Sequence, residues 1–218
     1  MRLIICNSKN WFTLDKEIYK DNTIKIITNR NELTKEFLDN FNPDYVFFTH
    51  WNWIVPKEIH ENFLCIVFHT APLPYGRGGS PIQNLILKGL DSAPVCALKM
   101  TDDLDAGPIY SKIEISLQGS LKEIFCRVNL AANKLIAEII NKNIVPVDQH
   151  GEPTLFNRLK DNELPMDIEL KEIYDRVRML DHDDYPKSYI IYGKSKFEFF
   201  NAEYENDCIN LKCKISKY

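Results

Sequence analysis

Residues 64–107 read LCIVFHTAPLPYGRGGSPIQNLILKGLDSAPVCALKMTDDLDAG. Leu64–Phe68 is a short apolar run, the pattern of a strand buried on both faces, and His69 is its exit residue. The loop that follows is stiffened by Pro72, Pro74 and Pro81 and loosened by Gly76, Gly78 and Gly79, which permit close backbone approach and positive φ. Ser80 and Pro81 read as the N-cap and first residue of a helix that stops at Gly89. Pro94–Met100 is a further apolar strand, and Thr101–Gly107 is a tight acidic loop before the next one, Ile109–Ile115. His69 and Asp105 are thus expected at the same edge of one sheet. An imidazole whose tautomer is held by a carboxylate can take a proton from an attacking amine, a task typically worth roughly 10²–10⁴-fold in rate.

Outward from this stretch, the chain alternates. Leu3–Cys6, Ile24–Thr28 and Tyr45–Thr49 read as strands. Asn29 or Asn31 is expected to cap a helix that runs to about Phe41. His50–Pro56, HWNWIVP, leaves the third strand; loops in that position build the ligand crevice of a doubly wound sheet. From Ser120 a long helix runs to about Asn141, with Leu121, Phe125, Val128, Ala132, Leu135, Ile136 and Ile139 on one face. The character changes after Pro146. Residues 147–159 look polar and irregular, Asp167–Leu180 is an amphipathic helix, and Ser188–Tyr192, Lys196–Asn201 and Cys208–Ile215 form a small antiparallel unit with a turn at Asn206–Asp207. The expected fold is α/β, a mostly parallel sheet with helices on both faces, followed by a small helix and β-unit.

Composition narrows the function. With 218 residues the chain can bury a real core, and a net charge of −4 argues against a large nucleic-acid footprint. No apolar run is long enough to span a membrane, and the N-terminus reads as a strand rather than a secretory signal. Six cysteines without CxxC spacing read as reduced, which points to a cytoplasmic protein, and the five histidines show no metal-ligand spacing. No GxGxxG follows the first strand, so a dinucleotide site is not expected.

Taken together, His69, Leu73–Pro74, Arg77–Gly78, Pro81–Gln83 and Leu104–Asp105–Ala106–Gly107 resemble the hallmark pattern of the folate-dependent formyltransferases. Ile173–Lys187 resembles the helix and turn beyond the catalytic core in the sugar and tRNA branches of that family. The resemblance implies a Rossmann-like catalytic core over 1–145, a linker and C-terminal unit over 146–218, N10-formyltetrahydrofolate as donor, no metal, and an Asn-His-Asp triad. His69 and Asp105 match that triad. The Asn, two residues before the His in the family, is Val67 here. Three groups are candidates for its role on the formyl oxygen: Asn52, which is favoured; His50; or backbone N–H groups around Gly78 and Gly79. Thr70–Ala71 replaces Pro-Ser, and Thr101 and Asp103 stand where the second motif has Asp and Gly. The pterin is expected against Trp51, Trp53, Met100, Thr101, Asp102 and Leu104. Arg77, Gly78 and Gly79 are expected to contact the acceptor, with Lys9 and Arg158 as further phosphate contacts.

The acidic balance and an end at Tyr218 speak against tRNA as acceptor, and the C-terminal unit looks like the sugar branch. The expectation is therefore N-formylation of a nucleotide-linked amino sugar for a surface glycan, with no nucleic-acid or membrane partner and a homodimer through the β-unit or an edge strand. Glycinamide ribonucleotide formylation is the alternative enzyme. A folate- or sugar-binding protein that has lost its chemistry at Val67 is the alternative of another class; it binds ligands without transferring a formyl group.

Overall fold

The computed structural model describes residues 1–218. Eleven strands and six α-helices follow one another along the chain. In order they are β1 (Arg2–Asn7), α1 (Lys16–Lys20), β2 (Thr23–Ile27), α2 (Lys35–Phe41), β3 (Tyr45–His50), α3 (Lys57–His60), β4 (Cys65–Thr70), β5 (Tyr75–Gly78), α4 (Pro81–Leu87), β6 (Ser92–Lys99) and β7 (Ile109–Ser116). There follow α5 (Leu121–Asn141), β8 (Thr154–Phe156), α6 (Leu170–Arg178), β9 (Ser188–Tyr192), β10 (Ser195–Glu205) and β11 (Cys208–Lys217).

The central sheet has the order β2-β1-β3-β4-β6-β7. Its first four strands pair in parallel, and β6 and β7 close it antiparallel. Alternate residues of each strand feed two separate cores. One face, with Leu3, Ile5, Phe47, Ile66, Val95 and Ala97, packs against α5 and α4. The other, with Ile4, Cys6, Val46, Phe48 and Cys65, packs against α2 and α3. The long helix starts where its sequence says it should. Ser120 and Glu123 form a reciprocal capping box, and all seven apolar residues expected on the inner face are buried. Asn133 on α5 is buried too; it accepts from the Asp15 N–H at 2.6 Å and donates to the Thr13 carbonyl at 2.9 Å, tying the segment after β1 to the helix.

Three local expectations change. The cap of α2 is Thr34, whose hydroxyl accepts the Phe37 N–H; Asn29 instead caps a short 3₁₀ turn at Arg30–Glu32. Ser80 does sit at the α4 N-cap but with φ +50 and no side-chain cap bond, because its hydroxyl accepts the Leu159 N–H. Residues 154–156, expected to be irregular, form β8 and pair in parallel with β5. Here the loop glycines have a packing purpose: a Cβ on Gly78 would lie 2.6 Å from the Phe156 carbonyl oxygen, and one on Gly76 2.7 Å from the Phe156 ring.

The C-terminal strands form a separate sheet in the order β11-β10-β9, backed by α6. Asn206 and Asp207 both have positive φ, the conformation that a two-residue hairpin turn requires. The strands run past their expected ends because a register shift after Phe200, with Asn201 at φ +51, lets β10 continue.

Candidate active site

Strand direction decides how the His and the Asp meet. Thr70 of β4 lies opposite Val95 of β6, and Ile66 opposite Lys99, so the two strands run in opposite senses. The Thr101–Gly107 segment therefore leaves at the amino end of β4, where the Met100 N–H donates to the Cys65 carbonyl at 2.9 Å. The expectation that both residues leave their strands at one edge is corrected: the loop starts at the far end from His69 and folds back to it. A run apolar on both faces does not reveal which way it pairs.

Folding back brings the pair together. His69 Nδ1 lies 3.4 Å from Asp105 Oδ2, and both side chains are almost fully buried. His69 Nε2 is 2.8 Å from the Gly76 carbonyl oxygen. A carbonyl can only accept, so Nε2 carries hydrogen and Nδ1 is the nitrogen left to exchange a proton. With no hydrogen on Nδ1, the contact to Asp105 is a close approach rather than a formed hydrogen bond. Asp105 Oδ2 also accepts the Gly78 N–H at 2.9 Å, and Asp105 itself sits at φ +52. Gly107 is required behind it: a Cβ there would collide with the Lys99 carbonyl oxygen.

The pair faces a cleft of about 1330 Å³. On one side lie Trp51, Asn52, Trp53, Met100, Thr101, Asp102 and Leu104. Trp51 and Trp53 meet edge to face at 4.9 Å, and Phe48 supports Trp51. The Asp102 carboxylate is bonded to Lys57 Nζ at 2.6 Å, which holds its pKa below the usual carboxylate value. Asn52 is exposed and its side chain bonds no other protein group. Val67 lines the cleft without a polar atom to offer.

On the other side lie Lys9, Trp11, Thr49, His50, Arg158 and Tyr185. Trp11 stacks on Phe125 at 4.4 Å and meets the His50 ring at 5.3 Å. Burial, then the positive charges of Lys9 and Arg158, push the His50 pKa down to about 4, so its imidazole is neutral near pH 7; Asp184 opposes them weakly. Neither Lys9 nor Arg158 has an ion-pair partner; the Lys9 ammonium lies over the Tyr185 ring at 5.7 Å. Four sealed side-chain polar atoms in the molecule lack a hydrogen-bond partner, and three of them, Trp11 Nε1, Thr49 Oγ1 and His50 Nε2, belong to residues of this one wall.

Some expected contacts fall elsewhere. Arg77 does not line the cleft: its guanidinium donates from Nε and Nη2 to Gln149 Oε1 at 3.1 and 2.9 Å. Gly78 and Gly79 do line it, but their N–H groups are taken, by Asp105 and by the Phe156 carbonyl, so they are not free to hold an oxyanion. The role of Gln149 was not readable in the sequence, where it sits in a stretch without periodicity. The buried thiols beside the site are pushed up by burial, Cys65 to about 12 and Cys96 to about 11, so neither supplies a thiolate nucleophile.

The formyl transferase family model matches residues 2–140. The chain belongs to this family. A second model, the C-terminal domain of methionyl-tRNA formyltransferase, matches residues 159–216. Among solved structures, a methionyl-tRNA formyltransferase from Clostridium thermocellum is 42% identical, with a TM-score of 0.94 and full coverage of both chains. Among curated relatives, a methionyl-tRNA formyltransferase from Rickettsia canadensis is 29% identical over 186 residues. That alignment takes in 82% of this chain but 61% of the relative, so this family member spans about three-fifths of the length of such relatives. A sugar N-formyltransferase from Shewanella is 18% identical, with a TM-score of 0.69 and coverage of 92% and 96%; it shares the fold. The greater similarity therefore lies with proteins of the tRNA branch by name, not with the sugar branch that the C-terminal unit had suggested.

Proposed function

We propose that this chain transfers a formyl group from N10-formyltetrahydrofolate to a primary amine, and that the amine belongs to an amino sugar carried on a nucleotide. The observation behind this reading is the His69 Nδ1–Asp105 Oδ2 contact of 3.4 Å at the cleft, with Nε2 already committed to Gly76. The amine nitrogen bonds to the formyl carbon, and its excess proton passes to His69 Nδ1 beside the Asp105 carboxylate. Breaking the bond between that carbon and N10 then releases tetrahydrofolate, and the proton held at His69 returns to N10. Asn52, with its amide uncommitted, donates to the formyl oxygen as negative charge develops there. The Trp51 and Trp53 rings, Met100 and the backbone of 101–104 fit a flat pterin with several polar edges.

The acceptor side supports a small polar molecule. Lys9 and Arg158 line the cleft without ion-pair partners and suit a phosphate. A second reading, methionyl-tRNA as acceptor, is favoured by the names of the relatives and by the match to the C-terminal domain model.

The deciding assay offers N10-formyltetrahydrofolate with nucleotide-linked amino sugars, glycinamide ribonucleotide and methionyl-tRNA in parallel, and reads formylated product by mass spectrometry. Rapid product from the sugars alone is expected. Product from methionyl-tRNA alone would replace the sugar reading with the second one. Tight folate binding without product from any acceptor would leave a binding protein.

A further inference from the structure

Gln149 lies 44 residues beyond Asp105, outside both motifs. An antiparallel bridge carries it there: the Ile109 N–H donates to the Val147 carbonyl at 2.8 Å, and the Val147 N–H returns to Ile109 at 2.9 Å. Its amide is then fully used. Nε2 donates to the Asp105 carbonyl at 2.8 Å and to the Gly107 carbonyl at 2.9 Å. Oε1 accepts both Arg77 bonds. A guanidinium has only donors, so Arg77 also dictates which end of the amide faces the loop.

These bonds close a ring. Arg77 is joined through the chain to Gly78, Gly78 N–H holds the Asp105 carboxylate, and Gln149 holds the Asp105 carbonyl. Asp105 is gripped at both ends while occupying a left-handed conformation. The loop starts at the far end of β4, so nothing in the strand geometry alone keeps its tip beside His69.

We propose that Gln149, oriented by Arg77, is the positioning residue that holds Asp105 in register with His69. This rests on the reading of His69 and Asp105 as the proton-handling pair. Glutamine is suited to the task because one side of the amide offers two donors and the other an acceptor. The substitution Gln149→Glu keeps an acceptor for Arg77 and loses both donors, setting a carboxylate against two carbonyl oxygens.

The test compares Gln149→Glu, Gln149→Leu and Arg77→Met with wild type and with His69→Ala. It measures kcat, KM for donor and acceptor, the urea midpoint, and hydrogen exchange at the Gly78 amide. Gln149→Glu and Gln149→Leu are expected to lower kcat roughly 10²-fold, the cost of about 1 Å of misplacement. KM should stay within about twofold, since substrate walls are untouched. Gly78 N–H exchange should speed up as its Asp105 acceptor wanders. Arg77→Met should lose less, about tenfold, because Gln149 keeps its donors. Unchanged kcat in both Gln149 variants, with His69→Ala inactive, overturns the positioning role and leaves the reaction in place. A joint fall of kcat, affinity and urea midpoint assigns Gln149 to general stability and also overturns it. Full turnover in His69→Ala would instead remove the reading on which the inference rests.

Discussion

Lowering the pH should destabilise this protein through His50. Its ring is wedged against Trp11 and Phe125, its Nε2 is sealed without a partner, and Lys9 and Arg158 both disfavour a second positive charge. The folded-state pKa is about 4, against 6.5 for an ordinary histidine. Below 6.5 the unfolded chain takes up a proton that the folded chain refuses, so stability is fully present above that value and drains away as the pH falls towards 4. At about 1.4 kcal/mol per pH unit the whole gap is worth about 3 kcal/mol, of which about 2 kcal/mol is lost between pH 7 and about pH 4.5. The assay is urea unfolding of wild type and His50→Phe at both pH values. The variant shifts the baseline at both, and the difference of differences isolates the titration. Wild type should lose about 2 kcal/mol more than the variant over this interval. Equal losses would mean that the imidazole is hydrated or paired in the folded chain, and the account of His50 as a sealed neutral ring would fail.

Other perturbations separate the parts of the site. Asp105→Asn keeps an oxygen for the Gly78 N–H and removes the negative charge beside His69 Nδ1; steady-state kinetics should show kcat lower by roughly 10²–10⁴-fold at nearly unchanged urea midpoint. Lys9→Ala and Arg158→Ala should each raise the acceptor KM about tenfold, with kcat held, and the effect should shrink in high salt. Gly107→Ala forces a methyl group into the Lys99 carbonyl oxygen, so circular dichroism should report a melting temperature many degrees lower or no soluble protein.

Much of this molecule could be read from periodicity and punctuation. The α5 face, its Ser120 cap and the turn at Asn206–Asp207 each follow from residue type at a fixed spacing, whereas the strand expected to end at Phe68 runs on to Thr70, with His69 inside it opposite Cys96. What escaped is what residue type does not encode. Pro94–Met100 is apolar on both faces whichever way it pairs, so its antiparallel direction, and the backward fold of the Asp105 loop, were invisible. Gly76 and Gly78 read as permitting close backbone approach, and what approaches them in the structure is Phe156. Arg77 read as a free cation because its acceptor, Gln149, lies 72 residues away. The sealed atoms of Trp11, Thr49 and His50 come from two segments that only the sheet brings together.

The most direct measurement is the single-turnover rate of formyl transfer by His69→Ala, at saturating donor and acceptor and alongside wild type. If Nδ1 of this imidazole takes the amine proton, the rate falls by at least roughly 10²-fold while both substrates still bind. A rate close to wild type would mean that the proton leaves by another route, and that the meeting of His69 with Asp105 serves only the fold.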